Sequence, residues 1–546
     1  MRASFYERLS ALDQSFLAFE TPNAYMHVAV TAVFEPGSLT TPHGGVDIDR
    51  IRHHIAARLR LIPRYRQRLT QTPVSSDAIW VDDDQFDLLY HVRHASLPRP
   101  GGERQLQRRC AEILERPLDR RRPLWEMWII EGLSGGRFAM LAKVHHCMVD
   151  GIAGVDILAA LLGTAPCEDP EPIEPWTPRP RPSDRALLAD ELRRRVAASV
   201  GLVRGLRAAL RAPGRAGRDL GERAAAFVRL LSHLGRVPST PFNQPIGPHR
   251  RVDWLSVELA TIKAIRNRLG GTINDVVLTT VAGAVGRFLA RRRVALEGEF
   301  RTVVPVSVRA ADERGQPGNR VSVWLTALPV HERDAQARLE AVCAMTEQLK
   351  DNKEAMGAEI VTQAAEWTTA NVINLATHFI NSARRFNLIV TNVPGPPVPF
   401  YLLGAPMVAI YPHLPLFENQ GLGVALLSYA GTLYWGVAAD WHQMSDLGDF
   451  MGDIAESFDE LRAAAGVAAV AVPAPPQAPP PAARPPRLTV HRGAAATPSA
   501  AEGAARGTGA RTRARSGADG LRRALPDPRS DTARSSRSTG RPGDLR

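Results

Sequence analysis

Residues 138–151 read Phe138-Ala139-Met140-Leu141-Ala142-Lys143-Val144-His145-His146-Cys147-Met148-Val149-Asp150-Gly151. Phe138, Met140, Ala142 and Val144 alternate with Ala139, Leu141 and Lys143, and Gly135-Gly136 precedes them. A mostly apolar run bounded by glycines predicts a largely buried strand. Beyond Gly151, the run from Ile152 to Leu162 is apolar enough for a buried helix, and Asp150 stands where an N-cap belongs. The two histidines therefore fall at a strand end, on a turn entering a helix. Rigid scaffolds commonly present reactive side chains at such places.

The chemistry suggested is that of a general base. A histidine takes up and returns a proton near neutral pH. His146 is the candidate for that role, with His145 beside it. Asp150 would orient or brace the loop, and its charge would favour an imidazolium formed during turnover. Gly151 would permit a backbone angle that other residues resist. The bland alternative is a pair of packed, hydrogen-bonded histidines. A zinc site needs three or four ligands at recognisable spacing, and the chain has neither His-Glu-x-x-His nor Cys-x-x-Cys, so no metal is expected. Cys147 next to a base has the ingredients of a nucleophile, yet no oriented dyad is legible, and it reads as a core residue.

The heptad resembles the His-His-x-x-x-Asp-Gly signature of the coenzyme-A-dependent acyltransferase superfamily, which includes chloramphenicol-acetyltransferase-like enzymes and peptide-synthetase condensation domains. Further blocks narrow the resemblance. They are Leu9-Ser10-Ala11-Leu12-Asp13, Met26-His27-Val28, Pro123-Leu124-Trp125-Glu126, Asn274-Asp275-Val276-Val277-Leu278, Pro305-Val306-Ser307-Val308-Arg309 with Gly318-Asn319-Arg320, and Thr391-Asn392-Val393-Pro394-Gly395-Pro396. In this order they are similar to the bacterial wax ester synthase/acyl-CoA:diacylglycerol acyltransferase family. That resemblance implies an α/β fold of two chloramphenicol-acetyltransferase-like domains, with the active site in a channel between them. It implies a fatty acyl-CoA donor as co-substrate, a diacylglycerol or long-chain alcohol acceptor, and no other cofactor. It points to Asn274, Asp275, Trp125 and Asn392 as candidates for pocket support. Each also has a plain structural reading: helix start, core residue or rigid turn. Cys147 stands where the family usually has a small residue such as alanine, and a thiol there would make the site sensitive to thiol reagents.

The remainder sets bounds. A chain of 546 residues with 44% hydrophobic content supports more than one folded core. Cys110, Cys147, Cys167 and Cys343 lack paired spacing, which suits a reducing cytoplasm. No uninterrupted apolar stretch is long enough to span a bilayer, so membrane contact would be peripheral, at the inner face of the plasma membrane or at lipid inclusions. The net charge of +12 is concentrated in residues 466–546, where 14 arginines face five acids. That segment, rich in Ala, Pro and Arg, reads as a disordered basic tail. No motif points to specific nucleic-acid binding.

The expected layout has four parts. Residues 1–164 form an N-terminal domain carrying the heptad. Residues 165–244 form a proline-rich linker and a basic amphipathic helical connector, residues 245–465 a second domain, and residues 466–546 the tail. In the connector, Leu188, Leu192, Val196, Val200, Val203, Leu206 and Leu210 recur at helical spacing among arginines. Such a stripe packs on the protein or lies in a membrane interface. In the second domain, strands are expected at Trp254–Leu259, Thr302–Val308, Val321–Leu328 and Phe386–Thr391, with a hairpin over Val424–Val437. Helices are expected near 260–269, 274–290 (capped at Asn274-Asp275) and 334–350. Two other readings stay open: a same-superfamily enzyme using a carrier-protein thioester, and a non-catalytic lipid-surface binding protein.

Overall fold

A computed structural model describes residues 5–73, 77–148, 158–167, 169–194, 196, 237–307, 321–351 and 386–468. Val149, Asp150 and Gly151, the block Val308-Arg309 with Gly318-Asn319-Arg320, most of the connector and residues 469–546 of the tail lie outside the described residues. All described residues belong to one unit of the chain.

The first half contributes β1 (Glu7–Arg8), α1 (Ala11–Phe19), β2 (His27–Phe34), α2 (Ile48–Arg58), β3 (Gln67–Gln71), β4 (Ala78–Asp82), α3 (Leu88–His91), β5 (Val92–Ser96), α4 (Glu103–Leu114), β6 (Trp125–Glu131) and β7 (Phe138–His145). The second half contributes β8 (Arg250–Glu258), α5 (Leu259–Leu269), α6 (Ile273–Arg291), β9 (Phe300–Ser307), β10 (Val321–Leu328), α7 (Ala335–Asp351), β11 (Leu388–Val393), β12 (Tyr401–Leu402), β13 (Ala405–His413), β14 (Leu422–Tyr429), β15 (Thr432–Asp440) and α8 (Leu447–Ala464). Two six-stranded sheets form, in the orders β12-β13-β2-β7-β6-β5 and β10-β9-β11-β14-β15-β8, with a small sheet β1-β4-β3 at the side.

The boundary between the halves is crossed. β13, from the second half, pairs antiparallel with β2 over Met407–His413 and completes the sheet that carries the heptad. Residues 245–465 are therefore not a self-contained layer. The physical reason lies in β13 itself. It is buried on both sides, and it gives backbone carbonyls to Tyr429 and Tyr434 of the second sheet: Tyr429 Oη donates to Met407 O at 3.0 Å and Tyr434 Oη to Val408 O at 3.1 Å. Trp254 of β8 stacks on Tyr411 with ring centroids 4.6 Å apart. Gly436 of β15 lies so close that a Cβ there would sit 1.7 Å from Pro412 O. Glycine is what lets the two sheets approach at this point.

Local chemistry places the other elements. α6 is apolar nearly all round because it is a core helix, with Val276 to Val285, Phe288 and Leu289 mostly shut off from solvent. It is also the one described helix long and apolar enough to cross a membrane, and its burial accounts for that. Its cap is not the Asn274-Asp275 pair. Thr272 is the N-cap, accepting from the Asp275 N–H at 3.2 Å, and the Asp275 carboxylate accepts in return from the Thr272 N–H at 2.8 Å. This reciprocal box satisfies two otherwise orphaned donors. The helix thus begins one residue earlier than the apolar run suggests. β8 begins four residues before Trp254, and Leu259 opens α5 rather than ending the strand.

Of the connector, residues 184–194 are helical. The contact that docks this helix is Leu187, fully buried with Ile79 and Val81, reinforced by Arg8 pairing with Asp190 and Glu191 at 3.0 Å each. The expected stripe points elsewhere: Leu188, Leu192 and Val196 are 48%, 63% and 55% exposed.

Gly436→Ala is expected to lower the thermal midpoint by the equivalent of about 1–3 kcal/mol or more, because a backbone carbonyl cannot yield as a side chain would. Gly452→Ala, in open space on α8, is expected to be neutral or mildly stabilising. Equal behaviour of the two variants in thermal melts would refute the close sheet crossing.

Candidate active site

β7 delivers the histidines. Its last residue, His145, pairs with His27 of β2. His146, Cys147 and Met148 then form a single turn of 3₁₀ helix. Both neighbouring strand ends fix the backbone: the His145 N–H donates to Leu124 O at 3.0 Å and the His146 N–H to Met26 O at 2.8 Å.

The two rings have different fates. His145 is 1% exposed. Its Nδ1 accepts the Cys147 N–H at 3.1 Å, which requires a bare Nδ1 and places the proton on Nε2. Nε2 lies 3.1 Å from Glu20 Oε1, a charge contact off the ideal hydrogen-bond direction. Nδ1 is thus committed to the backbone, and Nε2 is turned to the carboxylate. His146 is only half-buried, and its ring stacks on Phe16 at a centroid distance of 4.0 Å and an interplanar angle of 19°.

Glu20 anchors this arrangement. Its carboxylate accepts the Met26 N–H at 2.9 Å and pairs with Arg120 at 2.6 Å, while His27 Nε2 sits 3.8 Å away. Burial alone would push this carboxyl up. The contact with His145, the hydrogen bond from Arg120 and the nearby His27 outweigh it and bring the group down to about 2. Burial, with Lys143 adding to it, drives His27 well below its ordinary value and keeps it neutral. Lys143 is itself buried, donating to Ile113 O at 3.0 Å and Arg116 O at 3.1 Å at the end of α4 and facing Glu126 at 3.6 Å. Burial lowers it to about 8.

The other sequence candidates fall as follows. Cys147 packs with Leu9, Trp80, Leu118 and Leu124, and burial, with Asp13 adding to it, raises its thiol well above 9. A protonated, buried thiol is a poor nucleophile, so the expected sensitivity to thiol reagents has no structural basis here. Trp125 is a core residue. Its indole donates to Tyr65 O at 2.8 Å and stacks on His91 at 4.5 Å. The Asp275 carboxylate is absorbed by Thr272 and by Thr346, whose hydroxyl donates at 2.9 Å, so it supports α6. Asn274 is half-buried in the first turn of that helix. Asn392 lies on β11 opposite Leu426. In the turn that follows, Gly395 passes so close to β14 that a Cβ would meet Ser428 O at 2.1 Å. Asp150 and Gly151 lie outside the described residues. Just after them, Leu158, Leu161 and Leu162 are buried, and Gly163 exchanges backbone hydrogen bonds with Tyr401 of β12 at 2.8 and 2.9 Å.

Sequence reading missed Glu20, Arg120 and Phe16. Glu20 is an isolated acid at a helix end, and Arg120 sits in the run Asp119-Arg120-Arg121-Arg122, which looks like a solvated surface. Their partners lie 125 and 100 residues away along the chain.

Comparison with known proteins supplies the family. Residues 9–277 match the family described as wax ester synthase/diacylglycerol acyltransferase catalytic domain, and residues 317–462 match the WS/DGAT C-terminal domain. The chain belongs to the wax ester synthase/diacylglycerol acyltransferase family. One relative, from Mycobacterium tuberculosis H37Rv and named as a diacylglycerol O-acyltransferase, is 33% identical over 472 residues, covering 83% of this chain and 90% of its own. Another from the same strain, named tgs1, is 31% identical, covering 83% and 95%. Among solved structures, the wax ester synthase/diacylglycerol acyltransferase of Marinobacter aquaeolei VT8 superposes with a TM-score of 0.62 at 24% identity, covering 84% of this chain and all of that one. The starter condensation domain of rhizomide synthetase follows at 0.51 and 13%, covering 84% and 94%. These likenesses establish the two-domain acyltransferase fold, and membership of the family makes the chain an acyltransferase.

Glu20→Gln gives a pH-dependent prediction. The folded carboxyl is depressed from 4.5 to about 2. Its stabilisation is therefore complete above about pH 4.5 and is lost as pH falls towards 2, with an upper bound on the order of 3 kcal/mol. In denaturant unfolding, wild type is expected to exceed the variant by most at pH 7 and by progressively less below pH 4.5. A difference that stays constant down to pH 2.5 would contradict the role given to Glu20.

Proposed function

We propose that this chain transfers a fatty acyl group from acyl-CoA to the hydroxyl of diacylglycerol or a long-chain alcohol, with His146 as general base. The observation that carries this reading is the division of labour in the turn. His145 is sealed, with Nδ1 taken by the Cys147 N–H and Nε2 turned to Glu20, whereas His146 remains half-buried at the strand end. The names of the relatives support the acceptors, and the acyl-CoA donor follows from the resemblance of the heptad to the coenzyme-A-dependent signature.

The chemistry needs little else. Neutral His146 takes the acceptor's hydroxyl proton while the oxygen attacks the thioester carbonyl carbon. The tetrahedral intermediate collapses, the carbon–sulfur bond breaks, and the departing CoA thiolate takes the proton back from His146. The electron pair of the new C–O bond comes from the acceptor oxygen, so no covalent acyl-enzyme forms. Donors aimed at the oxyanion would lower the barrier further. The site would open to a channel between the two sheets that β13 joins. Asp150 and Gly151 would brace the loop beside His146, and Asn274 and Asn392 would help shape the pocket.

The purified chain, given labelled palmitoyl-CoA with diacylglycerol and hexadecanol together, is expected to form labelled ester. His146→Ala is expected to lose on the order of 10²–10⁴-fold in kcat. Ester formation undiminished by the substitution would remove His146 from the mechanism. Transfer from an acyl carrier protein but not from acyl-CoA would favour the carrier-thioester reading.

Both acceptors are lipids, and we place the enzyme in the cytoplasm, peripherally at a membrane or lipid inclusion. Exposed Leu188, Leu192 and Val196 lie beside exposed Arg185, Arg193 and Arg194 on a helix held to the body by Leu187. An apolar stripe flanked by arginines suits the boundary of an anionic bilayer. Leu188→Glu/Leu192→Glu in the full chain is expected to reduce flotation with phosphatidylglycerol vesicles several-fold. Flotation equal to wild type would sink this placement.

A further inference from the structure

We propose that Phe16 is a positioning residue for His146, and that α1 grips the turn by touching both histidine rings at once. The proposal rests on the reading of His146 as the base. Phe16 and Glu20 are four residues apart, so they project from the same face where α1 ends. Phe16 meets the His146 ring nearly parallel at 4.0 Å. Glu20 meets His145 Nε2 at 3.1 Å. One short segment therefore supplies a flat apolar wall to one ring and a charge to the other.

Phe16 is itself held firmly. It is partly buried and packs on one side against the cluster formed by Leu9, Trp80, Leu118, Leu124 and Cys147. On the other it packs against Ala24, Met26, Ile246, Leu416 and Ala438, a cluster drawn from both halves of the chain. The partly buried ring therefore sits between the two clusters, where the halves meet.

Two consequences follow for His146. The second ring torsion of a histidine is intrinsically broad, and a parallel ring against one face narrows it. Proton transfer requires the accepting nitrogen to be held towards the hydroxyl, and small misplacements cost rate steeply. In addition, the face of a phenyl ring attracts a cation, so the wall favours the imidazolium that exists between proton uptake and return. Phe16 lies against the face of the His146 ring, and no contact with substrate is assigned to it. It acts through His146, so its loss should appear in turnover rather than in donor binding.

The test uses the full chain with Phe16→Leu and Phe16→Tyr beside His146→Ala. The measurements are kcat and KM for palmitoyl-CoA with hexadecanol, together with the thermal midpoint. Leucine keeps an apolar side chain and removes the ring, whereas tyrosine keeps the ring. Phe16→Leu is expected to lose on the order of tenfold in kcat with KM changed by less than about twofold. Phe16→Tyr is expected to stay within about threefold of wild type. Phe16→Met, which is also apolar and ringless, repeats the comparison if the leucine variant melts low. Wild-type turnover in the ringless variants would overturn the proposal. So would equal losses in Leu and Tyr variants that track a fall in melting temperature. The two failures separate cleanly. If His146→Ala is inactive while ringless variants run normally, only the role of Phe16 falls. If His146→Ala stays active, the base assignment falls and takes Phe16 with it.

Discussion

The turn depends on a buried carboxylate. Taking Glu20 largely out of water is costly, and the cost is offset by the Met26 N–H and the Arg120 guanidinium, with His145 Nε2 3.1 Å away. This arrangement fixes the tautomer of His145. The tautomer in turn leaves Nδ1 free to receive the Cys147 N–H, and the peptide after His146 is pinned. The reactive histidine is thereby carried on a backbone held from both sides while its own ring keeps some access. Similar two-layer support, in which a second set of groups orients the ring that does the chemistry, is what precise proton transfer needs.

A second constraint works at longer range. The sheet that carries the heptad is completed by β13, which arrives from the far half of the chain and is locked to the second sheet by Tyr429, Tyr434, Trp254 and the close pass at Gly436. The segment that leaves the heptad is likewise tied to β12 through Gly163 and Tyr401. The halves are therefore held around the turn, and a channel between them would be framed by residues whose spacing the sheets dictate.

Much of this was legible in the sequence. Alternation and bounding glycines located β7, uninterrupted apolar character located α6, and the heptad with its ordered companion blocks pointed to the acyltransferase fold and to the two histidines. What stayed hidden shares a cause: it depends on partners distant in the chain. Nothing near Tyr401–His413 says that it belongs to the other half's sheet. Glu20 looks like a helix-end acid until Arg120 and His145 are beside it. Of the connector's expected stripe, Leu188, Leu192 and Val196 are exposed and the docking contact is Leu187, one position away; Val200, Val203, Leu206 and Leu210 lie outside the described residues. Asn274-Asp275 looks like a cap because both residue types favour that role, while the threonine two residues before Asn274 takes it and draws Asp275 into a structural duty.

The central claim is that the two adjacent histidines are chemically unlike, one spent on structure and one kept for the reaction. Ring-nitrogen NMR of ¹⁵N-histidine-labelled protein at pH 8 tests it most directly, with His145→Asn and His146→Ala assigning the two signals. The account predicts that His145 carries its proton on Nε2 and none on Nδ1, in a single neutral tautomer, and that this signature persists in His146→Ala. A proton on Nδ1 of His145, or a mixture of tautomers like that of a solvent-exposed imidazole, would contradict it.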